Sequence, residues 1–208
     1  HGTYVAGVIG AVGNNNLGVS GVCWNVGLQP YKFNANSNRT DVIVSAINQA
    51  QLSGVPIINF SNTITTTYDS TITSLREAIK SYSGLFVCAA GNDSVNLDGN
   101  KQYPAALDLD NILVVGACDD NGNRYSDSSW GSNWSSTQVD VFAPWCSWTV
   151  DLSNKYALFT RTSAATPLVA GVAALLKSYK PSLTTAQLKA AIMDGATSKS
   201  ALKDKCVS

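Results

Sequence analysis

The chain has 208 residues, 45% hydrophobic and 13% charged, and its 14 basic and 14 acidic residues cancel to a formal net charge of zero. That length supports one domain with a sizeable core. The balanced charge argues against a nucleic-acid or membrane-surface partner, and no apolar run approaches the ~20 residues needed to span a bilayer.

In chain order, Val5, Val8/Ile9 and Val12 recur at helical spacing, followed by a polar turn from Gly13 to Val19. Residues 27–33, 55–60, 85–90 and 112–118 read as short strands, apolar on both faces as in a covered parallel sheet. Between them, Ile43, Ala46/Ile47 and Ala50, then Ile72, Leu75, Ile79 and Tyr82, form amphipathic helical stripes. Residues 119–137, rich in Asp, Asn, Ser and Gly, read as surface loop. Two shorter strands are predicted over 139–144 and 156–160. The helix over 164–179 is apolar on nearly every side and is expected in the middle of the fold, with Pro167 tolerated near its first turn. Leu188, Ala191 and Ile192 mark a last helix. Alternating strands and helices predict an α/β fold, a mostly parallel sheet covered by helices on both faces. With no repeat and no linker, residues 1–208 form one domain.

Cys23, Cys88, Cys118, Cys146 and Cys206 are odd in number and lack CxxC spacing. That argues against a structural zinc site and leaves at least one thiol unpaired within the chain. Cys88, in the run Leu85-Phe86-Val87-Cys88-Ala89-Ala90, reads as a buried thiol. One or two disulfides among the others stay open, with no pairs assigned. Asn38-Arg39-Thr40 and Asn133-Trp134-Ser135 match the glycosylation triplet.

Three segments carry chemistry. His1, the sole histidine, opens His1-Gly2-Thr3-Tyr4-Val5-Ala6-Gly7, and Ser163 sits in Thr162-Ser163-Ala164-Ala165-Thr166-Pro167-Leu168-Val169-Ala170-Gly171 at the head of an apolar helix. A base and a hydroxyl held on separate elements are the core of serine acyl transfer, because the hydroxyl is a weak nucleophile until a base takes its proton. The helix dipole would place positive potential beside the developing oxyanion. The third segment, Ala89-Ala90-Gly91-Asn92-Asp93, lies at the carboxyl end of a predicted strand, where parallel sheets build their sites.

These blocks resemble those of the subtilisin-like (S8) serine endopeptidases. The resemblance implies a three-layer α/β/α fold, His1 as general base, Ser163 as nucleophile, and the Asn92 amide with the Ser163 backbone N–H as oxyanion donors. It places Ser61 on the edge that pairs with the substrate backbone, although Asn62-Thr63 departs from the usual Leu-Gly. Ala89, Ala90 and Gly91 would line the pocket for the residue before the scissile bond, and Gly2 and Gly7 would permit close approaches.

Gly13-Asn14-Asn15-Asn16-Leu17-Gly18-Val19 resembles the family's calcium loop. By that resemblance the carbonyls of Gly13, Leu17 and Val19 and the Asn15 side chain would be ligands of a structural Ca²⁺, with no cofactor needed for the chemistry. The family orders its triad Asp, His, Ser, so the chain is expected to be a domain truncated at both ends, its aspartate upstream and its own activity slight without it. By the same resemblance the protein would be a secreted monomer acting on protein or peptide substrates. Four residues depart from the family pattern. Arg161 stands for the Gly of Gly-Thr-Ser, Trp145 for the Gly of Ala-Pro-Gly, Leu168 for the His of Pro-His-Val, and Tyr4 for the second His of the first block. Arg161 would occlude the cleft or select acidic residues. A degenerate pseudoprotease that binds peptides without cleaving them is the alternative function.

Overall fold

Alternate residues along the strands feed two separate cores, and this division builds the molecule. The computed structural model describes residues 1–32 and 40–208. Helix α1 (Gly2–Gly10) is followed by α2 (Thr40–Leu52), strand β1 (Ile57–Phe60), α3 (Asp69–Ser81), β2 (Leu85–Ala89), β3 (Ile112–Cys118) and β4 (Val141–Pro144). The four strands form a parallel sheet in the order β1-β2-β3-β4. Phe86, Cys88, Ile112 and Val114 pack with Ile43 and Ile47 of α2 and Leu75 and Ile79 of α3. Leu85, Val87, Leu113 and Val115 face the other way, onto α4 (Thr162–Tyr179) and α5 (Thr185–Asp194). The result is three layers, α/β/α. Leu85, Phe86 and Val87 have no exposed surface, and each such side chain is worth about 1.5–3 kcal/mol.

A partly buried ion pair ties α5 to the sheet. Lys189 Nζ lies 3.1 Å from Asp140 Oδ1 and also donates to the Ile112 carbonyl, while Asp140 Oδ2 accepts from Val114 N at 2.7 Å. Burial holds the Asp140 carboxyl above the usual carboxylate range, with Lys189 pulling against it. Helix α5 starts on a capping box in which Thr184 and Gln187 satisfy each other's backbone N–H.

Several sequence expectations change. Residues 27–32 form no strand, and residue 33 lies outside the described segment. A strand exists only by pairing, and 27–32 have no ladder partner among the described residues. Strand β5 (Cys146–Val150) was not anticipated. It forms an antiparallel hairpin with β6 (Tyr156–Thr160), Trp148 opposite Leu158. Its alternation is inverted, Trp148 being 62% exposed and Thr149 fully buried against α1, so the usual apolar-in pattern gave no signal.

The loop 119–137 is not all surface, since Ser132, Asn133 and Ser135 are completely buried. Most of helix α4 from Thr162 to Ala173 is buried, but Val172, Leu175 and Tyr179 are exposed. Pro167 sits in the second turn rather than the first, leaving the Ser163 carbonyl without a ladder donor. All five cysteines are unpaired thiols, Cys23 and Cys88 buried. Burial pushes the Cys88 thiol well above its ordinary range, as expected of an inert core cysteine. Among the described residues no helix is long and apolar enough to cross a membrane.

Candidate active site

The carboxyl ends of β1 and β2 run directly into Ser61 and into Ala90-Gly91-Asn92, and the amino end of α4 meets them there. Thr162, fully buried at the first helical position, donates both its backbone N–H (3.0 Å) and its hydroxyl (2.8 Å) to Asn92 Oδ1. With its oxygen committed, the Asn92 side chain keeps an NH₂ group that donates to no acceptor among the described residues. The adjacent Ser163 N–H has no acceptor among the described residues, as expected for a first-turn donor. Ser163 Oγ donates to the Ser61 carbonyl at 3.2 Å. Ser61 is itself buried and accepts from Asn59 Nδ2 at 3.0 Å.

The loop bearing Asn92 is held from behind by a residue the sequence reading assigned to surface. Asn133 Oδ1 accepts from Asp93 N (2.9 Å) and Val95 N (3.1 Å), and its Nδ2 donates to Ala90 O and Gln102 Oε1, both at 3.0 Å. All its hydrogen-bonding capacity is used inside the protein, so Asn133 is no glycosylation acceptor in the folded chain; Asn38 lies outside the described residues. Gly91 has φ +103°, and a Cβ there would fall 2.3 Å from Gln102 Oε1, so only glycine fits. Ala89 and Ala90 are 1% and 0% exposed, buried in the segment that leads into Asn92.

His1 precedes α1, with its ring edge-on to Phe159 at 5.2 Å between centroids. Phe159 also packs with Val8 and Ala164, which brings the amino ends of α1 and α4 to the same side. Gly7 lets α1 lie on β5, since a Cβ there would fall 2.3 Å from Thr149 Oγ1, whereas a Cβ at Gly2 would meet nothing. Among the described residues His1 and Ser163 share no hydrogen bond, because the serine hydroxyl points to Ser61.

The profile of the subtilase family, Peptidase_S8, matches residues 1–207. The chain belongs to the subtilase family. This subtilase is 36% identical over 202 residues to Subtilisin DY of Bacillus licheniformis, covering 95% of its own length and 70% of the relative's. It is also 36% identical over 200 residues to Alkaline elastase YaB of Bacillus sp. (strain YaB), covering 95% of this chain and 50% of that one. Among solved structures, a cold adapted subtilisin-like serine proteinase superposes with a TM-score of 0.78 at 29% identity, over 100% of this chain and 73% of that one.

Two of the residues that set this subtilase apart from its family pattern prove to be linked in space. Trp145 stacks on Tyr125 at 4.2 Å, Tyr125 on Trp130 at 4.5 Å, and the Arg161 guanidinium lies 5.8 Å from the Trp130 ring centre. Tyr4 packs on Phe159 at 5.5 Å, and Leu168 joins the same small cluster with Val8 and Ala164. Arg161 adopts φ +78°, ψ −173°, a region essentially reserved for glycine, at a cost of order 1–3 kcal/mol.

Residues 13–20 of the subtilase curl around a polar cavity of about 280 Å³, with Asn14, Asn16 and Gly18 at positive φ. Asn15 Oδ1 accepts from Leu17 N at 3.0 Å, closing the turn. A second cavity, of about 200 Å³, lies between residues 54–56 and α5 at the amino ends of the strands, away from Ser163. Its cation, Lys177, is committed to the carbonyls of Pro181 and Leu183.

Proposed function

We propose that the protein is a serine endopeptidase that hydrolyses peptide bonds through an acyl-enzyme on Ser163. In this reading the hydroxyl leaves the Ser61 carbonyl and donates to His1. Oγ bonds the scissile carbonyl carbon as the imidazole takes its proton. The oxyanion is received by Asn92 Nδ2 and the Ser163 N–H, at the positive end of α4. The C–N bond then breaks, the leaving amine takes the proton from the imidazolium, and water cleaves the acyl ester by the same route. Hydrogen bonds to a catalytic hydroxyl are often unformed without substrate and tighten on binding. Ser61, freed of Ser163, offers its carbonyl to the substrate backbone alongside Ala89, Ala90 and Gly91.

The observation carrying this reading is the pairing of two unspent donors, the Asn92 amide locked by Thr162 and the Ser163 N–H. Hydrolysis of an unstructured protein substrate, compared with Ser163→Ala, tests it; equal rates would defeat it. The Ser163–Ser61 bond favours a second reading, a cleft that binds peptides without cleaving them, for which peptide binding with no turnover is the signature.

Secretion and action as a monomer on protein or peptide substrates follow the family habit. The loop of Gly13, Asn15, Leu17 and Val19 is proposed to hold a structural Ca²⁺ through the carbonyls of Gly13, Leu17 and Val19 and the Asn15 side chain. The curled backbone around a polar cavity supports it, although the loop itself supplies no carboxylate, a common calcium ligand. The ion would have no part in the chemistry, and a melting temperature raised by Ca²⁺ and lowered by a chelator is the expected result.

A further inference from the structure

We propose that Arg161 is a specificity-determining residue, its guanidinium seated on the Trp130 face to receive the carboxylate of an acidic substrate side chain flanking the scissile bond. This rests on the peptidase reading of Ser163.

Arg161 immediately precedes Thr162-Ser163 and occupies a conformation that glycine adopts freely and arginine does not. A position that needs only backbone there would be served better by glycine, so the side chain must account for the strain.

That side chain reaches a built platform. Trp130, Tyr125 and Trp145 form a continuous stack, anchored at each member. Tyr125 N donates to Ala117 O at 2.8 Å, Trp145 N to Cys118 O at 2.9 Å, and the Tyr125 hydroxyl to Asp127 Oδ2 at 2.8 Å. The residue after Trp130, Gly131, donates its N–H to Asn92 O at 3.4 Å. The platform is therefore tied to the loop that carries the oxyanion donor.

Arg161 is exposed, and among the described residues its guanidinium makes no ion pair or hydrogen bond. Asp127, the carboxylate on the platform, is spent on Ser129 N, Ser129 Oγ, Trp130 N and the Tyr125 hydroxyl. An exposed guanidinium held over an indole at 5.8 Å, with no other partner among the described residues, keeps its N–H groups free. The planar fork of those N–H groups matches a carboxylate bidentately, and its preorganisation lowers the entropy lost per hydrogen bond formed. Lysine in the same place would lack both the plane and the fork.

The test uses peptide pairs that differ only by Glu against Gln, scanned from two residues before to two after the scissile bond, near neutral pH. At one position the Glu peptide should have a kcat/KM higher by roughly tenfold or more, the worth of a charge-assisted hydrogen bond. The ratio should fall toward one in Arg161→Gln and in wild type at high salt, persist in part in Arg161→Lys, and shift to a preference for Lys in Arg161→Glu. The Glu/Gln ratio within each variant is independent of its overall activity. A ratio near one at every position in wild type, or one unchanged in Arg161→Gln, would overturn the proposal. If Ser163 is unreactive and neither peptide is cut, the peptidase reading fails by itself. Calorimetric binding of the same peptides then decides this one, and equal affinities for Glu and Gln forms overturn it.

Discussion

Thr162 spends both its backbone N–H and its hydroxyl on the single oxygen of the Asn92 side chain, at 3.0 and 2.8 Å. This ties an amide whose NH₂ group is otherwise free to the residue next to the proposed nucleophile. Replacing Asn92 with Leu should lower kcat by on the order of 10²–10³, the cost of losing the corresponding donor in subtilisin. Thr162→Val removes one of the two bonds and should cost roughly tenfold in kcat with KM little changed. A loss in KM alone for either variant would remove Asn92 from the transition state.

Arg161→Gly should stabilise the fold. It relieves a strained backbone worth of order 1–3 kcal/mol and gives up an exposed cation–π contact worth about 0.5–1 kcal/mol. The urea midpoint should rise, and a fall would show that the arginine is favourable where it stands.

Asn133→Ala should destabilise the protein by about 3 kcal/mol or more, because it strands the N–H groups of Asp93 and Val95 and the carbonyl of Ala90. Turnover in the folded fraction should fall as well, since Asn92 loses its backing. Mass spectrometry of protein made in a glycosylating host should find no sugar on Asn133.

Much of this arrangement is legible in the sequence. The strands around Leu85–Ala89 and Ile112–Cys118 are short, apolar on both faces and separated by helical stripes, which leaves a covered parallel sheet as the natural solution. His1, Asn92 and Ser163 sit in specific motifs. Asn133 was not legible, because it lies in a polar stretch whose composition reads as loop. Only its position behind Gly91, distant in sequence, converts it into a buried bracket. The stack from Trp145 to Arg161 was invisible for the same reason, since Tyr125 and Trp130 come from the 119–137 loop and meet Trp145 and Arg161 only in the fold. Residues 27–32 misled in the opposite direction: Gln29, Pro30 and Lys32 interrupt the run, proline disfavours a ladder position, and no neighbouring strand pairs with it among the described residues.

Acid should weaken the platform beneath Arg161. Asp127 is held well below the usual carboxylate range, first by the Ser129 N–H, then by the Ser129 and Tyr125 hydroxyls and the Trp130 N–H. A carboxylate with a depressed folded pKa contributes stability that is present above its unfolded value of about 4 and lost as pH falls through the folded value. Asp127→Asn should therefore lower the denaturation midpoint at pH about 7. The gap should narrow as the pH drops below about 4. A gap that stays constant across that window would refute the assignment.

The central claim is that Ser163 is a nucleophile activated by His1, and the rate of phosphonylation by a serine-directed probe, followed by mass spectrometry, reads it directly. The account predicts a single adduct on Ser163, slowed on the order of 10²–10⁴-fold in His1→Ala, as befits loss of a general base. An intact protein that takes no label, or labels Ser163 equally fast without His1, would contradict it.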